Sequence, residues 1–111
     1  MICHVFNQSI NDWDTSEIIN IEHMFANCSR FNQPLYNWKT MNVTNMNYTF
    51  YNCYQFNQSL NNWKIHNVKT MSCMFRGCKN FNHPLNQWNV SNVINMDLMF
   101  QIHVFDIIRN L

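Results

Sequence analysis

Histidine and cysteine are the side chains of this chain that could bind a metal ion, and there are five of each. Zinc sites need a tetrahedral set of ligands, commonly closely spaced Cys or Cys/His pairs. Four of the cysteines are instead 25 residues apart, at Cys3, Cys28, Cys53 and Cys78. We interpret Cys28, Cys53 and Cys78 as small buried apolar fillers, with Cys73 facing outward; a disulfide or metal-binding Cys73/Cys78 pair is the alternative. The sequence predicts no metal site and no cofactor.

Catalysis by acid–base or nucleophilic chemistry needs a nucleophile, a base and an orienting group in one pocket. The six acidic residues show no paired spacing: Asp12, Asp14, Glu17, Glu22, Asp97 and Asp106. The single glycine excludes a glycine-rich phosphate-binding loop. A site built by repetition would place its histidines alike, so we interpret these as ordinary surface residues: His4, His23, His66, His83 and His103. We therefore expect a protein that is not an enzyme and has no catalytic residues.

The charge balance limits the class of partner. The formal net charge is +1 and 12% of residues are charged, so the basic patch that nucleic-acid binding requires is missing. No apolar run approaches the roughly 20 residues of a membrane-spanning helix. Residues 1–5 have neither the cationic nor the apolar segment of a secretory signal peptide. We expect no nucleic-acid partner, no membrane span and no signal peptide, which leaves the compartment undetermined.

A 25-residue period organises the chain. The four tryptophans follow it, and so do eight of the nine phenylalanines, in two series: Trp13, Trp38, Trp63 and Trp88; Phe6, Phe31, Phe56 and Phe81; Phe25, Phe50, Phe75 and Phe100. An asparagine follows each phenylalanine of the first series: Asn7, Asn32, Asn57 and Asn82. Asparagine tolerates left-handed backbone and bonds nearby main chain. We therefore expect it to replace glycine in the turns and to form a ladder between neighbouring repeats.

Each 25-residue period, here called a coil, has eight positions that we expect to be buried. In the second coil they are Phe31, Leu35, Trp38, Val43, Met46, Thr49, Phe50 and Cys53. The spacing of Val-x-x-Met-x-x-Met-Phe predicts a short helix, and the alternation around each tryptophan predicts a short strand. Two-helix repeats and propeller blades need longer periods. The predicted fold is an α/β repeat solenoid, leucine-rich-repeat-like, with four coils whose strands pair in parallel and whose equivalent aromatic side chains stack.

The predicted organisation is a partial repeat at 1–5, coils at 6–30, 31–55, 56–80 and 81–105, and a divergent tail at 106–111. The pattern fails after Phe100, because His103 replaces the expected cysteine and Asp106 the expected phenylalanine. The tail has two interpretations, a cap on the last coil or the frayed end of a truncated reading frame. With no dedicated caps, the terminal coils are expected to permit end-to-end association.

The motifs Phe-Asn-Gln-Pro-Leu-Tyr-Asn-Trp at 31–38 and Phe-Asn-His-Pro-Leu-Asn-Gln-Trp at 81–88 are each followed by Val-x-x-Met. They resemble the BspA-like repeat, a mycoplasma-type surface-lipoprotein repeat of unknown function that is distantly related to leucine-rich repeats. The resemblance covers residues 6–100. It implies a leucine-rich-repeat-like solenoid and adhesion or protein binding, often at a cell surface, and members also occur in large DNA viruses. It supplies no catalytic residues.

The function expected from these observations is that of a scaffold for protein–protein interaction or adhesion, whose protein partner is unknown. Repeat arrays bind through their variable solvent-facing positions, which here change from acidic to basic to neutral along the chain. At the centre of this face we place Lys39, Met41, Lys64 and His66. The alternative is a structural or degenerate product of a repeat-gene expansion with no ligand of its own, which the residue usage typical of AT-rich codons favours.

Overall fold

Short turns alternate with irregular segments along the backbone of residues 3–100, the range that the computed structural model describes. Within this range there is no helix, and strand pairing is limited to single parallel bridges that join Asn20 to Asn45, Asn45 to Thr70 and Thr70 to Asn95. The predicted α/β, leucine-rich-repeat-like solenoid with one helix and one strand per coil is therefore wrong. The structure has instead four turn-built layers, in which residues 25 apart lie over one another.

The backbone hydrogen bonds of residues 45–52 explain why the expected helix does not form. Every second N–H group donates to a carbonyl of the next coil, at 2.8–2.9 Å; the donors are Met46, Tyr48, Phe50 and Asn52. Of the N–H groups between them, those of Thr49 and Tyr51 donate to the carbonyls three residues back, and that of Asn47 donates to the side-chain oxygen of Asn45. The carbonyl of Thr49 accepts from Phe25 of the preceding coil at 2.9 Å. Because neighbouring coils satisfy these groups, the segment does not need helical i to i−4 bonds.

Two positions in each coil also have left-handed backbone, which interrupts any right-handed helix. The first is occupied by His23, Tyr48, Cys73 and Leu98, with φ between 55° and 60°. The second is occupied by Asn27, Asn52 and Gly77, with φ of 64°, 58° and 82°. Asparagine and glycine are the residues that tolerate this region best, so the expected use of asparagine in turns is confirmed at the second position.

The segment predicted as a strand is also made of turns. In the second coil the N–H of Trp38 donates to Leu35, and that of Val43 to Thr40, at 3.1 and 3.0 Å. The alternation of Trp38 and Thr40 that predicted the strand still buries both side chains. Alternation therefore indicated which side chains point inward, but not how the backbone bonds.

The core is formed by the positions that the period marks. All eight residues expected to be buried in the second coil are buried. Phe31 stacks on Phe56 with ring centroids 5.9 Å apart, and Trp38 stacks on Trp63 at 6.3 Å. Trp13 stacks on Trp38 at 6.5 Å, but no described coil covers its other side, and it remains 58% exposed.

Side-chain hydrogen bonds between coils keep the layers in register. The N–H groups of Asn32, Asn57 and Asn82 each donate to the amide oxygen of the asparagine one coil earlier, at 2.9–3.0 Å. The expected asparagine ladder is thus confirmed. A second ladder runs inside the core, where the indole N–H of each later tryptophan donates to a carbonyl of the preceding coil: Trp38 to Ile10, Trp63 to Leu35 and Trp88 to Leu60.

Some predictions fall on residues that are not described. These are the divergent tail at 106–111, the final positions 101–105 of the fourth coil and the first two residues of the partial repeat. The turn-built stack of residues 3–100 is what positions the candidate site.

Candidate functional site

The predicted binding face lies on the outside of the second and third coils. Lys39, Met41, Lys64 and His66 are all exposed, Met41 by 42%. Between them, the side chains of Thr40 and Ile65 point into the core. The structure therefore brings the four predicted residues together as two adjacent pairs, one on each coil.

The main chain under this face is held by hydrogen bonds from neighbouring side chains. The carbonyl of Met41 accepts from the amide of Asn67, and that of His66 from the amide of Asn92, both at 2.7 Å. The carbonyl of Lys64 accepts from the hydroxyl of Thr40 at 3.1 Å. The backbone N–H of Lys39 donates to the Thr15 hydroxyl at 2.8 Å. A fixed main chain lowers the entropy that binding must remove.

The charge of the face changes along the stack. Asp14 occupies in the first coil the position that Lys39 and Lys64 occupy in the next two. The hydroxyl and backbone N–H of Ser16 both donate to the Asp14 carboxylate, and these bonds, with the nearby Lys39 charge, hold the pKa of Asp14 below its usual value. The carboxylate of Asp14 and the ammonium of Lys39 share an open depression of about 450 Å³. Lys64 therefore carries the less compensated positive charge.

A second depression, of about 620 Å³, adjoins the face. Amide and aromatic side chains dominate its lining: Pro34, Tyr36, Gln58, Ser59, Asn61, Asn62 and Gln87. Several of the amides already have protein partners. The amide of Asn62 donates to the Tyr36 carbonyl at 2.8 Å, and the amide oxygen of Asn61 accepts from the Gln87 N–H at 2.9 Å. Tyr36, 58% exposed, is the aromatic residue of this lining.

The cysteines follow the prediction only in part. Cys53 and Cys78 are buried free thiols, each within 2.9 Å of a carbonyl of the preceding coil. Burial raises the pKa of Cys78 to about 12 and raises that of Cys53 as well, so neither thiol is a nucleophile near neutral pH. Cys28 forms a disulfide with Cys3, because equivalent positions of adjacent coils bring their Cα atoms to 4.7 Å.

Cys73 was predicted to face outward, and this prediction is wrong. Its thiol is a free one and the residue is only 3% exposed. Cys73 continues the left-handed row whose earlier members, His23 and Tyr48, stack with their rings 4.7 Å apart. The neighbouring Cys73 thiol, through hydrogen bonding with the Tyr48 hydroxyl, is the main cause that raises the pKa of Tyr48. The small side chain of Cys73 thus lies next to larger side chains of this row, at a repeat position that is not among the eight expected to be buried.

Comparison with protein families gives one match. The family described as Mycoplasma protein of unknown function, DUF285, matches residues 1–106. The chain belongs to the DUF285 family. No curated protein and no solved structure matches the chain. The predicted resemblance to a Mycoplasma family of unknown function is thereby confirmed.

Three further observations describe this DUF285 protein. In residues 3–100, no three histidine, cysteine, aspartate or glutamate side chains lie together in a way that could hold a metal ion. The same range has no helix that could cross a membrane. Four histidines are exposed or half-buried, as expected of surface residues: His4, His23, His66 and His83. His103 lies outside the described residues.

Sequence reasoning missed Tyr36 in the DUF285 chain. Its position in the repeat is asparagine in the other three coils, at Asn11, Asn61 and Asn86. A single aromatic residue among asparagines at a variable position is a departure from the repeat pattern. That departure would have been enough to add Tyr36 to the candidate face.

Proposed function

We propose that this protein is a non-enzymatic scaffold for protein–protein interaction or adhesion, with Lys39, Met41, Lys64 and His66 at the centre of the binding face. One observation carries the proposal: these side chains are exposed, while hydrogen bonds from the adjacent coils hold their main chain. Such a surface is preorganised, so that little ordering is needed when a partner binds.

The chemistry of the face favours a partner surface with acidic side chains around an apolar contact. Lys39 and Lys64 lie at equivalent positions of adjacent coils, and Met41 offers an adaptable apolar side chain beside them. The exposed ring of Tyr36 extends the apolar area into the adjoining depression. Charged groups at the edge of an interface mainly accelerate association, whereas aromatic and apolar anchors supply most of the affinity.

The buried thiols support a role without catalysis. Cys53 and Cys78 stay protonated near neutral pH because burial raises the pKa of each, and catalysis by cysteine requires the thiolate. The BspA-like relation and a role in surface adhesion are part of the same proposal. The Cys3–Cys28 disulfide favours the role at the cell surface, because disulfides persist in oxidising surroundings such as the cell exterior.

A pull-down with purified variants tests the binding face. The bait carries Lys39→Glu with Lys64→Glu, and a matched control bait carries Arg30→Glu with Lys69→Glu, which makes the same change of charge at exposed positions outside the face. We expect a specific protein that binds the wild type and the control and is lost from the face variant.

If the same proteins bind all three baits, or none binds the wild type, the proposed face is wrong. That result would favour the alternative, a structural product of repeat expansion with no ligand of its own. Thermal unfolding of each bait, followed by circular dichroism, establishes that the variants are folded.

A further inference from the structure

The outer face of the first coil is an apolar surface. In the later coils, the equivalent residues are buried against the preceding coil. A cavity of about 310 Å³ opens there, lined by Cys3, Phe6, Ile10, Trp13, Met24, Phe25 and Cys28. The tryptophans of the later coils are 2–6% exposed, against 58% for Trp13. The surface is therefore one half of an interface that the molecule forms three times internally.

The backbone at this end lacks the bonds made elsewhere in the stack. In the later coils, carbonyls such as those of Asn45, Asn47 and Thr49 accept N–H groups of the preceding coil at 2.9–3.1 Å. No residue within 3–100 donates a backbone hydrogen bond to their equivalents, Asn20, Glu22 and Met24. The indole N–H of Trp13 likewise has no acceptor in this range, although its three equivalents each have one. An open row of carbonyls beside an apolar surface is a template for pairing with another chain.

We propose that a second copy of this chain docks on this end through its own fourth coil, in the geometry of the internal interfaces. The inference is independent of the proposed binding face. The matching donors are the N–H groups of Met96, Leu98 and Phe100, equivalents of the donors that join the inner coils. In that arrangement the carbonyl of Leu85 is the acceptor for the indole of Trp13, as Leu60 is for Trp88. The amide oxygen of Asn82 similarly receives the N–H of Asn7.

The two ends also complement each other in length. Residues 3–5 already occupy the last positions of the coil that precedes Phe6, and the Cys3–Cys28 disulfide fixes them there. An incoming coil has to supply the positions before them, of which those of residues 81–100 in the fourth coil are described. These 20 positions and the 3 of residues 3–5 make up 23 of the 25 positions of one layer, contributed by two chains. Because the contact joins unlike ends, it does not close, and assembly continues beyond a dimer.

Sedimentation velocity over about a hundredfold range of protein concentration tests the assembly. We expect the average mass to rise past that of a dimer. Trp13→Glu puts a charge on the docking surface and should raise the concentration needed for assembly by more than about tenfold. Tyr54→Glu is the control, because Tyr54 is an exposed aromatic residue (41%) that is part of neither the docking surface nor the proposed binding face; it should assemble as the wild type does.

Cysteine cross-linking tests the direction of the contact. Glu17 and Asn92 are exposed and occupy equivalent positions of the first and fourth coils, so docking would bring them to the spacing of adjacent coils. That spacing is 4.7 Å between Cα atoms at the Cys3–Cys28 pair, which a disulfide can bridge. A mixture of Glu17→Cys and Asn92→Cys chains should give a covalent dimer, and the double variant a ladder of multimers.

Three results would overturn the proposal. They are a wild-type chain that stays monomeric at every concentration, a Trp13→Glu chain that assembles like the wild type, and covalent dimers formed by Glu17→Cys alone. The last would mean that two first coils face each other in a closed pair.

Discussion

Removing one central phenylalanine ring measures how strongly neighbouring coils depend on each other. Phe56 is fully buried, and its ring centroid lies 5.9 Å from that of Phe31, 6.0 Å from Phe81 and 4.3 Å from Phe50. Phe56→Ala removes these contacts and leaves a cavity, which in protein cores costs about 3–5 kcal/mol. Because both adjacent coils line that cavity, neither can close it without losing its register.

Phe6 provides the matched comparison. It occupies the same repeat position in the first coil, but it is only partly buried, and among residues 3–100 the ring of Phe31, 5.5 Å away, is its single aromatic neighbour. We expect Phe6→Ala to cost about 1–2 kcal/mol, since fewer contacts are lost and the site is open to solvent. The two substitutions are chemically identical, so the difference of about 2 kcal/mol reports only the position in the stack.

Urea unfolding followed by tryptophan fluorescence measures both losses. For an m-value of about 2 kcal/mol/M, Phe56→Ala should lower the midpoint by roughly 2 M and Phe6→Ala by less than about 1 M. Equal shifts for the two variants, or a loss below about 1 kcal/mol for Phe56→Ala, would refute the packing of equivalent rings in register.

Three further predictions concern backbone conformation, pH and the disulfide. Gly77→Ala should lower the unfolding free energy by about 1–3 kcal/mol in a thermal unfolding assay, because φ there is 82° and a Cβ atom collides with Asn52. Gly77→Asn adds the same Cβ atom but should cost less, since asparagine tolerates left-handed backbone and Asn52 adopts φ of 58° at the equivalent position, where its amide donates to Asn27. Burial raises the pKa of Cys78 from 9.0 to about 12, so its contribution to stability is complete below pH 9 and is lost as pH rises toward 12, by up to about 1.4 kcal/mol per pH unit. Urea titrations across that range should show a shallower decline for Cys78→Ser. Reduction of the Cys3–Cys28 disulfide, which closes a loop of 25 residues, should lower the unfolding free energy by about 3 kcal/mol, and dithiothreitol should then have no further effect on Cys3→Ser.

The sequence was sufficient to predict most of the core side chains and their register, although not the burial of Cys73. The 25-residue period placed Phe31, Trp38 and Phe50 inside and over their equivalents, because only identical spacing lets like side chains meet in every layer. It also predicted the asparagine ladder, since an amide can bond the main chain of an adjacent coil. Both inferences depend on side-chain identity and spacing, which the sequence states directly.

The backbone conformation could not be predicted from the same pattern. The spacing of Val43, Met46 and Phe50 fits one face of a helix, but a series of turns with i to i+3 bonds produces almost the same spacing. The helix and the series of turns differ in which carbonyls accept hydrogen bonds from the N–H groups. In this stack, alternate N–H groups donate to carbonyls of residues about 24 positions away. A two-turn helix has too few internal bonds to be stable alone, so bonding between coils determines the conformation.

The exposure of the proposed binding face could be predicted for a reason that does not depend on the helix. Lys39 and His66 are exposed because the residues next to them are drawn into the core, and that holds for a strand and for a turn alike. The carbonyls that are unpaired within residues 3–100 at the open end of the stack could not be predicted in this way, because they are identified from the directions of the hydrogen bonds in the structure. In the row of residues 46–52 and its equivalents, each coil offers N–H donors toward the next coil and carbonyl acceptors toward the preceding one, whereas the N–H groups of Thr44, Lys69 and Ile94 donate to the preceding coil. A stack with this polarity has unlike ends, so the bonding that replaces the helix also determines how one copy can add to another.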